Sequence, residues 1–173
     1  EEPQTTPEGG RRWLRTSKIP LRDAAGEVFG VLGTYEDITE RKRAEEALRA
    51  SEARFRALFA ALDEGVALHE LVLDAAGEPV DYVVLDVNPA CERMTGVSRE
   101  QAVGRRASEL YGGGTAPLLA EFAAVARDGQ PRRFEAFAPP LGKTFSISVY
   151  CPGPGQFAAV FVEIPGKRPA GSA

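Results

Sequence analysis

The sequence predicts an α+β protein: a five-stranded antiparallel sheet with helices on one face, preceded by a long helix and an N-terminal β-hairpin. Residues 64–164 run as two strand-like segments, then helical segments, then three strand-like segments, an order that suits such a sheet. Residues 37–63 form one uninterrupted helical pattern. The segment before it, residues 10–36, repeats the pattern of the last two strand-like segments.

The charge balance excludes several functional classes. The chain has 173 residues, of which 25 are acidic and 21 are basic, for a net charge of −4. This charge argues against a nucleic-acid partner, because phosphate contacts need a basic surface. No apolar run approaches the roughly 18 residues of a membrane span, and the first residues lack the pattern of a signal peptide. We therefore expect a cytoplasmic protein with no membrane segment.

An internal repeat indicates that the chain holds parts of two related modules. Gly10–Pro20 aligns without a gap with Gly142–Pro152, so that Trp13 matches Phe145. The other matched pairs are Ile19 with Cys151, Pro20 with Pro152, and Asp37-Ile38 with Glu163-Ile164. The chain therefore contains the closing hairpin of one module, a helix and a complete second module.

A second repeat supports this division. The pentapeptide DAAGE occurs at 23–27 and at 74–78, each time between strand-like segments. Asp-x-x-Gly suits a hairpin turn, because Asp caps the turn and Gly takes the positive φ. The predicted divisions are a disordered or extended tail (1–9), a closing hairpin (10–36), a linker helix (37–63), a complete module (64–164) and a C-terminal tail (165–173).

The linker helix has sequence signals at both ends. Asp37 can cap its first turn while Glu40 reaches back to the free amide, which is a capping box. No Gly or Pro occurs from there to Leu62. Gly65 then suits a left-handed stop. The sequence therefore predicts a single rod of about 25 residues.

Apolar or small residues recur along this rod at alternating spacings of four and three, which is a heptad seam. They are Ala44, Leu48, Ser51, Phe55, Leu58 and Leu62. Such a seam is typical of a two-chain coiled coil; the alternative is an amphipathic helix that packs on its own domain. An isolated two-stranded hairpin is marginally stable and would expose its apolar residues. We therefore predict a homodimer through the linker helix and the N-terminal hairpin.

The complete module is predicted to contain five strands and three helices. Asn88-Pro89 begins a short helix that Gly96 stops, and Ser98 with Gln101 forms the capping box of a second. A longer amphipathic helix spans about 116–127 and ends before Gly129. The predicted strands are 66–73, 80–87, 132–139, 143–151 and 156–164.

Two stretches of the chain resemble a known family. Residues 88–96 (NPACERMTG), followed by 97–101 (VSREQ) and Val103-Gly104, strongly resemble the first half of a PAS sensor domain. The N-terminal hairpin and the run DITERKRAEEAL after it resemble the PAC motif, the closing hairpin and exit helix of PAS domains in bacterial signalling proteins. The hairpin positions that carry this likeness are Trp13, Pro20, Asp23, Gly26, Gly30 and Gly33.

The resemblance implies a PAS fold, whose sheet surrounds a small cavity, and a non-catalytic role in sensing, dimerising and relaying a signal. It implies a signal linker at the start of the helix, formed by Asp37, Ile38, Thr39, Glu40 and Arg41. In such proteins an effector elsewhere in the parent chain is most often a sensor histidine kinase of a two-component system or a diguanylate cyclase. The alternative is a ligand-free PAS that serves only as a dimerisation and spacer module.

The resemblance also suggests ligand-pocket residues and argues against two cofactors. The pocket candidates are Met94, Leu110, Tyr111, Phe122, Phe134, Phe145 and Phe161, which form either a cavity wall or a solid core. Flavin-binding members have Gly-Arg-Asn-Cys where this chain has Gly-Arg-Arg-Ala at 104–107. Haem-binding members take a histidine from the long helix, and residues 116–128 contain none. No cofactor is predicted, a flavin adduct and histidine-ligated haem are disfavoured, and the ligand would be an unidentified small molecule.

The catalytic and metal-binding signals are weak. His69-Glu70 resembles the phospho-accepting pair of sensor kinases, but apolar residues alternate around it as in a strand. Two cysteines and one histidine are too few for a four-ligand zinc site. We predict no metal and no catalysis by this chain. The remaining alternative is an enzyme with chemistry around His69 or Cys151.

Overall fold

The computed structural model describes residues 1–5, 10–111 and 114–165. The chain divides into two compact units, Glu1–Arg56 and Ala57–Ala173. Apart from Pro165, the C-terminal tail predicted for 165–173 lies outside the described residues.

The first unit contains a three-stranded antiparallel sheet. Its strands lie in the order β1–β2–β3 and span β1 (Glu2–Thr5), β2 (Arg11–Arg22) and β3 (Val28–Asp37). Within the predicted disordered or extended tail (1–9), residues 2–5 form the strand β1, in which Glu2 pairs with Leu14, and residues 6–9 lie outside the described residues. The polar sequence of β1 has no apolar alternation, so only its pairing with β2 reveals it.

The two DAAGE segments form the same turn. The Asp23 carboxylate accepts hydrogen bonds from the backbone N–H groups of Ala25 and Glu27, each at 2.9 Å, and Asp74 repeats this pattern in the second unit. The glycines of the two turns have φ of +86° and +82°. The predicted hairpin chemistry is confirmed at both places.

The two hairpins pair their strands in registers that differ by one residue when the hairpins are aligned by the sequence repeat. The Ile38 N–H donates to the Trp13 carbonyl at 2.9 Å, and the Ile164 N–H donates to the Thr144 carbonyl at 2.8 Å. The sequence repeat instead aligns Trp13 with the residue after Thr144. The register shift between Leu21 and Arg22 explains the difference, because a bulge inserts one residue into one strand of a pair.

Helix α1 (Thr39–Ala61) does not begin with the predicted capping box. The Lys42 N–H donates to the Ile38 carbonyl at 3.0 Å, which makes Ile38 the N-cap and leaves Asp37 one position too early. Asp37 instead accepts hydrogen bonds from the N–H of Thr39 at 2.9 Å and from its hydroxyl, which lowers the pKa of Asp37. The Trp13 N–H donates to the same hydroxyl at 2.8 Å, so β2 holds the helix start.

The end of α1 also differs from the prediction. The helix stops at Ala61, one residue short of Leu62, and Gly65 is the first residue of a strand and not a left-handed helix stop. Gly65 is needed there for a steric reason, since a Cβ atom would lie 2.6 Å from Cζ of Phe161.

The second unit contains a five-stranded antiparallel sheet of order β5–β4–β8–β7–β6. Its strands are β4 (Gly65–Leu73), β5 (Pro79–Val87), β6 (Arg132–Ala138), β7 (Lys143–Tyr150) and β8 (Gln156–Glu163). Each lies within one residue of a predicted strand at either end, and the predicted fold class is confirmed. The last strand, β8, lies at the centre, between β4 and β7.

Four helices lie between β5 and β6. They are α2 (Pro89–Thr95), α3 (Arg99–Ala102), α4 (Ala107–Leu110) and α5 (Leu119–Asp128). The Asn88 side chain caps α2 by accepting from the Cys91 N–H at 2.9 Å, and Gly96 ends it with φ of +74°. The capping box of Ser98 and Gln101 opens α3. These three sequence signals are confirmed.

Two of these helices differ from the prediction. Helix α4 was not predicted, because its four residues are held by a tertiary contact in which the Ser108 N–H and hydroxyl both donate to the buried Asp81 carboxylate on β5. Helix α5 begins three residues later than predicted, after Leu118, which has a φ of +55°. Its end before Gly129 agrees with the prediction.

The core of the second unit lies between the sheet and α5, which packs against β5, β7 and β8. Its most deeply buried apolar side chains include Val84, Val125, Val149 and Phe157. Burying each contributes about 1.5–3 kcal/mol. In the part of the chain that the structure describes, no helix has the length and apolar content to cross a membrane.

A candidate ligand cavity

A cavity of about 240 Å³ lies inside the second unit, between the sheet and the segments around α5. Its walls are mostly apolar and aromatic. The lining residues are Ala67, His69, Tyr82, Thr95, Tyr111, Pro117, Leu118, Phe122, Ala136, Phe137, Ala138, Pro139, Leu141, Phe145, Ile147, Ala159 and Phe161.

The register of the central strands creates this space. Alternate residues of a strand point to the same face, so Ala67 and His69 of β4 face the cavity together. Ala67 pairs directly with Ala159 of β8. Two methyl side chains therefore meet where larger residues would fill the centre, and the rings of Phe145 and Phe161 form the wall beside them.

His69 is the chain's one histidine and is buried in this wall, with 4 % of its surface exposed. It pairs across the sheet with Phe157, on which its ring stacks at 4.7 Å between centroids, and Tyr82 contacts it edge-on at 5.0 Å. Burial lowers the pKa of His69 to about 3, so the imidazole is neutral near pH 7. Its Nδ1 atom has no hydrogen-bond partner among the described residues.

The other polar groups in the wall are used differently. The Tyr82 hydroxyl donates to the Pro117 carbonyl at 3.0 Å, and the Thr95 hydroxyl donates to the Cys91 carbonyl at 2.8 Å. Burial raises the pKa of Tyr111 to about 12, so its hydroxyl stays protonated. No Asp, Glu, Lys or Arg is among the lining residues. The wall is therefore uncharged near neutral pH.

Four of the seven pocket residues predicted from the sequence line the cavity, and three do not. Tyr111, Phe122, Phe145 and Phe161 lie on the cavity wall. Met94, Leu110 and Phe134 pack against the core but are not among the lining residues. Sequence reasoning assigned His69 to a strand, where it lies, and missed its position on the cavity. Inward alternation along β4 was the signal that could have found it.

The enzyme alternative named His69 and Cys151. His69 lies on β4 and not on a helix, as expected for a strand histidine. The half-buried Cys151 thiol donates to the Gly153 carbonyl at 3.2 Å. The other cysteine, Cys91, is buried, which raises the pKa of its thiol to about 12. Across residues 1–5, 10–111 and 114–165, no three metal-ligating side chains come together.

The predicted signal linker and seam lie on α1 and on the residues directly before and after it. Ile38 and Thr39 are buried, whereas Asp37, Glu40 and Arg41 are exposed. All six seam residues, Ala44, Leu48, Ser51, Phe55, Leu58 and Leu62, are exposed. Among the larger seam residues, the exposed fraction of the surface is 62 % for Leu48, 57 % for Phe55, 70 % for Leu58 and 42 % for Leu62.

Two family models match this chain. One, described as "PAS fold", matches residues 1–43, and the other, described as "PAS domain", matches residues 53–136. The second match covers β4, β5, the helices and most of β6, which include most of the cavity wall. The chain belongs to the PAS family.

Curated relatives match parts of this PAS chain. An uncharacterised protein, y4lL, of Sinorhizobium fredii is 45 % identical over 51 residues, which are 30 % of this chain and 6 % of the relative. Sensor protein FixL of Bradyrhizobium diazoefficiens is 28 % identical over 99 residues, which are 57 % of this chain and 18 % of the relative. The chain thus spans less than a fifth of either relative.

Solved PAS and LOV structures resemble the chain at low identity. A Rhodobacter sphaeroides LOV protein has 19 % identity and a TM-score of 0.49, over 68 % of this chain and 69 % of that one. The PAS domain of an HTR-like protein from Haloarcula marismortui has 23 % identity and a TM-score of 0.47, over 71 % and 99 %.

The cavity is small compared with a flavin or a haem. A cavity of about 150 Å³ holds benzene, and drug-sized ligands occupy about 300 Å³ or more. At about 240 Å³, this one is small for the three fused rings of a flavin or for a haem macrocycle. Ala107, the counterpart of the flavin-reactive cysteine, is fully buried in the core and is not a lining residue.

Proposed function

We propose that this chain is a cytoplasmic, non-catalytic PAS sensory module that binds a small molecule, dimerises and relays a signal within a signal-transduction protein. The observation that carries the proposal is the uncharged cavity with the buried His69 in its wall. The effector is a sensor histidine kinase of a two-component system, as the family resemblance implies; a diguanylate cyclase is the alternative. The similarity to a protein named as a sensor, FixL, supports the sensory role.

Dimerisation is proposed to occur through the seam of α1. Leu48, Phe55 and Leu58 are each more than half exposed on a helix of 23 residues, and burying them would stabilise an assembly by about 1.5–3 kcal/mol per side chain. The heptad spacing supports a second copy of the same helix as the partner. The sheet of the first unit supports this, because β3 exposes a row of large apolar residues: Val28, Phe29, Val31, Leu32 and Tyr35.

Relay is proposed to start at the junction of β2 and α1. The Trp13 N–H, the Thr39 hydroxyl and the Asp37 carboxylate form one hydrogen-bonded chain. Lys42 lies above the Trp13 ring, 5.4 Å from its centroid, and forms an ion pair of 2.8 Å with Glu1. A change in β2 would therefore reach the first turn of α1 directly.

A ligand-free spacer is the second candidate function. Phe122 stacks on Phe157 at 4.7 Å between centroids, and Tyr82 contacts both rings edge-on, so much of the interior is already filled. On this alternative the dimer forms but the cavity remains empty.

Native mass spectrometry separates the two functions. Purified chain that carries a bound small molecule supports the sensor, and Ala159→Leu should expel it by filling the cavity. Ala158→Leu is the matched control, because neighbouring residues of β8 point to opposite faces. No bound mass, together with no ligand-dependent stabilisation of the unmodified chain in a small-molecule screen, would refute the sensory proposal.

Light scattering tests the dimer. Leu48→Glu with Phe55→Glu should convert a dimer to a monomer, because buried carboxylates at the seam lack partners. Ala50→Glu with Ala57→Glu places the same charges off the seam and should leave the dimer intact. A monomeric unmodified chain, or equal loss in both variants, would refute the coiled coil.

A further inference from the structure

We propose that the cavity ligand is an uncharged aromatic molecule of one or two rings with a single hydrogen-bonding group, which pairs with the imidazole of His69. This inference rests on the proposed sensory function and specifies the chemistry of the molecule that is sensed. The residues that carry it are His69 and the hydroxyl and aromatic side chains around it.

The size of the cavity sets the number of rings. Its volume of about 240 Å³ exceeds the roughly 150 Å³ that accommodates benzene. It is smaller than the roughly 300 Å³ at which pockets for drug-sized ligands begin. A one-ring molecule with substituents or a two-ring molecule therefore fits within this volume.

The wall selects an aromatic and uncharged ligand. Tyr82, Phe122, Phe145 and Phe161 supply ring faces and edges, which favour offset or edge-on packing against another ring. None of the lining residues carries a formal charge near pH 7. An ionised ligand would lose its hydration in this wall without gaining a counter-charge, so the site excludes it.

His69 supplies the polar contact. Buried nitrogen atoms in folded proteins normally have a hydrogen-bond partner, and neither nitrogen of His69 has one among the described residues. Nδ1 is fully enclosed, so the ligand would bond to Nε2 of this cavity-lining ring. The hydroxyls of Tyr82 and Thr95, by contrast, already donate to backbone carbonyls. Of these three polar groups, the imidazole is therefore the one that offers the ligand an unused bonding atom. Stacking on Phe157 fixes the ring in position for this contact.

Three neutral probes of nearly equal size test the inference: naphthalene, indole and quinoline. Indole donates one hydrogen bond and quinoline accepts one, whereas naphthalene does neither. We expect the unmodified chain to bind indole or quinoline about fivefold more tightly than naphthalene, the ratio that corresponds to one net hydrogen bond. The charged probe 2-naphthoate should bind at least tenfold more weakly than naphthalene.

Two measurements place the contact at His69. In His69→Phe the ring volume is retained, so naphthalene should still bind while the preference for indole or quinoline disappears. Because the chain has one histidine, its imidazole ¹⁵N signals are unambiguous in the unmodified protein. The preferred probe should shift the Nε2 signal, and naphthalene should shift it much less. This spectrum decides the question even if the variant does not fold.

The outcomes separate this inference from the proposed function. If all three neutral probes bind equally and the ¹⁵N signals respond alike, the cavity takes ligands but His69 does not select them, and the inference is wrong. If 2-naphthoate binds as well as naphthalene, the uncharged class is wrong. If no probe binds while native mass spectrometry still finds a bound molecule, the ligand class is wrong and the sensory function stands.

Discussion

Asn88 joins the start of β4 to the start of α2, and replacing it should destabilise the second unit strongly. Its side chain is fully buried. The side-chain oxygen accepts from the N–H groups of Val66 and Cys91, each at 2.9 Å, and the amide nitrogen donates to the Glu64 carbonyl at 2.8 Å. One residue thus satisfies three backbone groups in two segments.

The cost of Asn88→Ala follows from these three contacts. Loss of the N-cap costs about 1 kcal/mol. The Val66 N–H, which is partly buried, loses its partner at a cost of about 1–3 kcal/mol. We expect the free energy of unfolding to fall by about 3 kcal/mol in total, whereas Ser98→Ala, which removes the exposed cap of α3, should cost about 1 kcal/mol.

Urea denaturation followed by far-UV circular dichroism measures this difference. With an m-value of about 2 kcal/mol/M, Asn88→Ala should lower the midpoint by about 1.5 M. Asn88→Asp retains the accepting oxygen and loses the donor, so its midpoint should lie between those of the unmodified chain and Asn88→Ala. If Asn88→Ala is no less stable than Ser98→Ala, the buried contacts do not contribute as argued.

Three further predictions concern pH, the turns and an exposed ion pair. The pKa of His69 is about 3 in the folded chain and 6.5 in the unfolded chain. Between these pH values the unfolded chain binds more protons, so the free energy of unfolding decreases as the pH falls from about 6.5. At pH 4.5 this loss is about 2.5 kcal/mol, and urea titrations should show a shallower pH dependence for His69→Phe. Gly77→Ala should lower the free energy of unfolding by about 1–2 kcal/mol, because φ at Gly77 is +82°. Gly153 has no positive φ, so Gly153→Ala should cost less than about 0.5 kcal/mol. Equal losses of stability in the two variants would contradict the φ argument. Arg127→Ala removes an exposed ion pair of 2.9 Å with Glu78 and should change stability by less than about 1 kcal/mol; a larger thermal shift would contradict this.

The strands of the second unit could be predicted because their signals are local. Alternation and turn residues bounded all five within one residue. Asn88, Gly96 and Ser98 likewise defined helix ends through contacts within a few residues. Two elements that depend on a partner far along the chain were not predicted. The strand β1 forms by pairing with β2, and α4 is held by a hydrogen bond to the Asp81 carboxylate.

The cavity was only partly predictable for the same reason. The aromatic candidates were chosen as large apolar residues, and several of them lie on the wall. The space itself depends on Ala67 meeting Ala159, a pairing that exists only once β4 lies beside β8. Gly65 shows the same limit, because its missing side chain makes room for a ring on β8 and does not stop a helix.

The central position of β8 has a consequence for biosynthesis. Among the described residues, β8 is the last strand of the second unit along the chain, yet it lies between β4 and β7 and contributes Ala159 and Phe161 to the cavity. Until β8 is available, β4 can pair with β5 along one edge but has no partner along the other. A ligand cannot assist the nascent chain before β8 has emerged from the exit tunnel, so any rescue of a destabilised variant by ligand must act after translation of the module is complete.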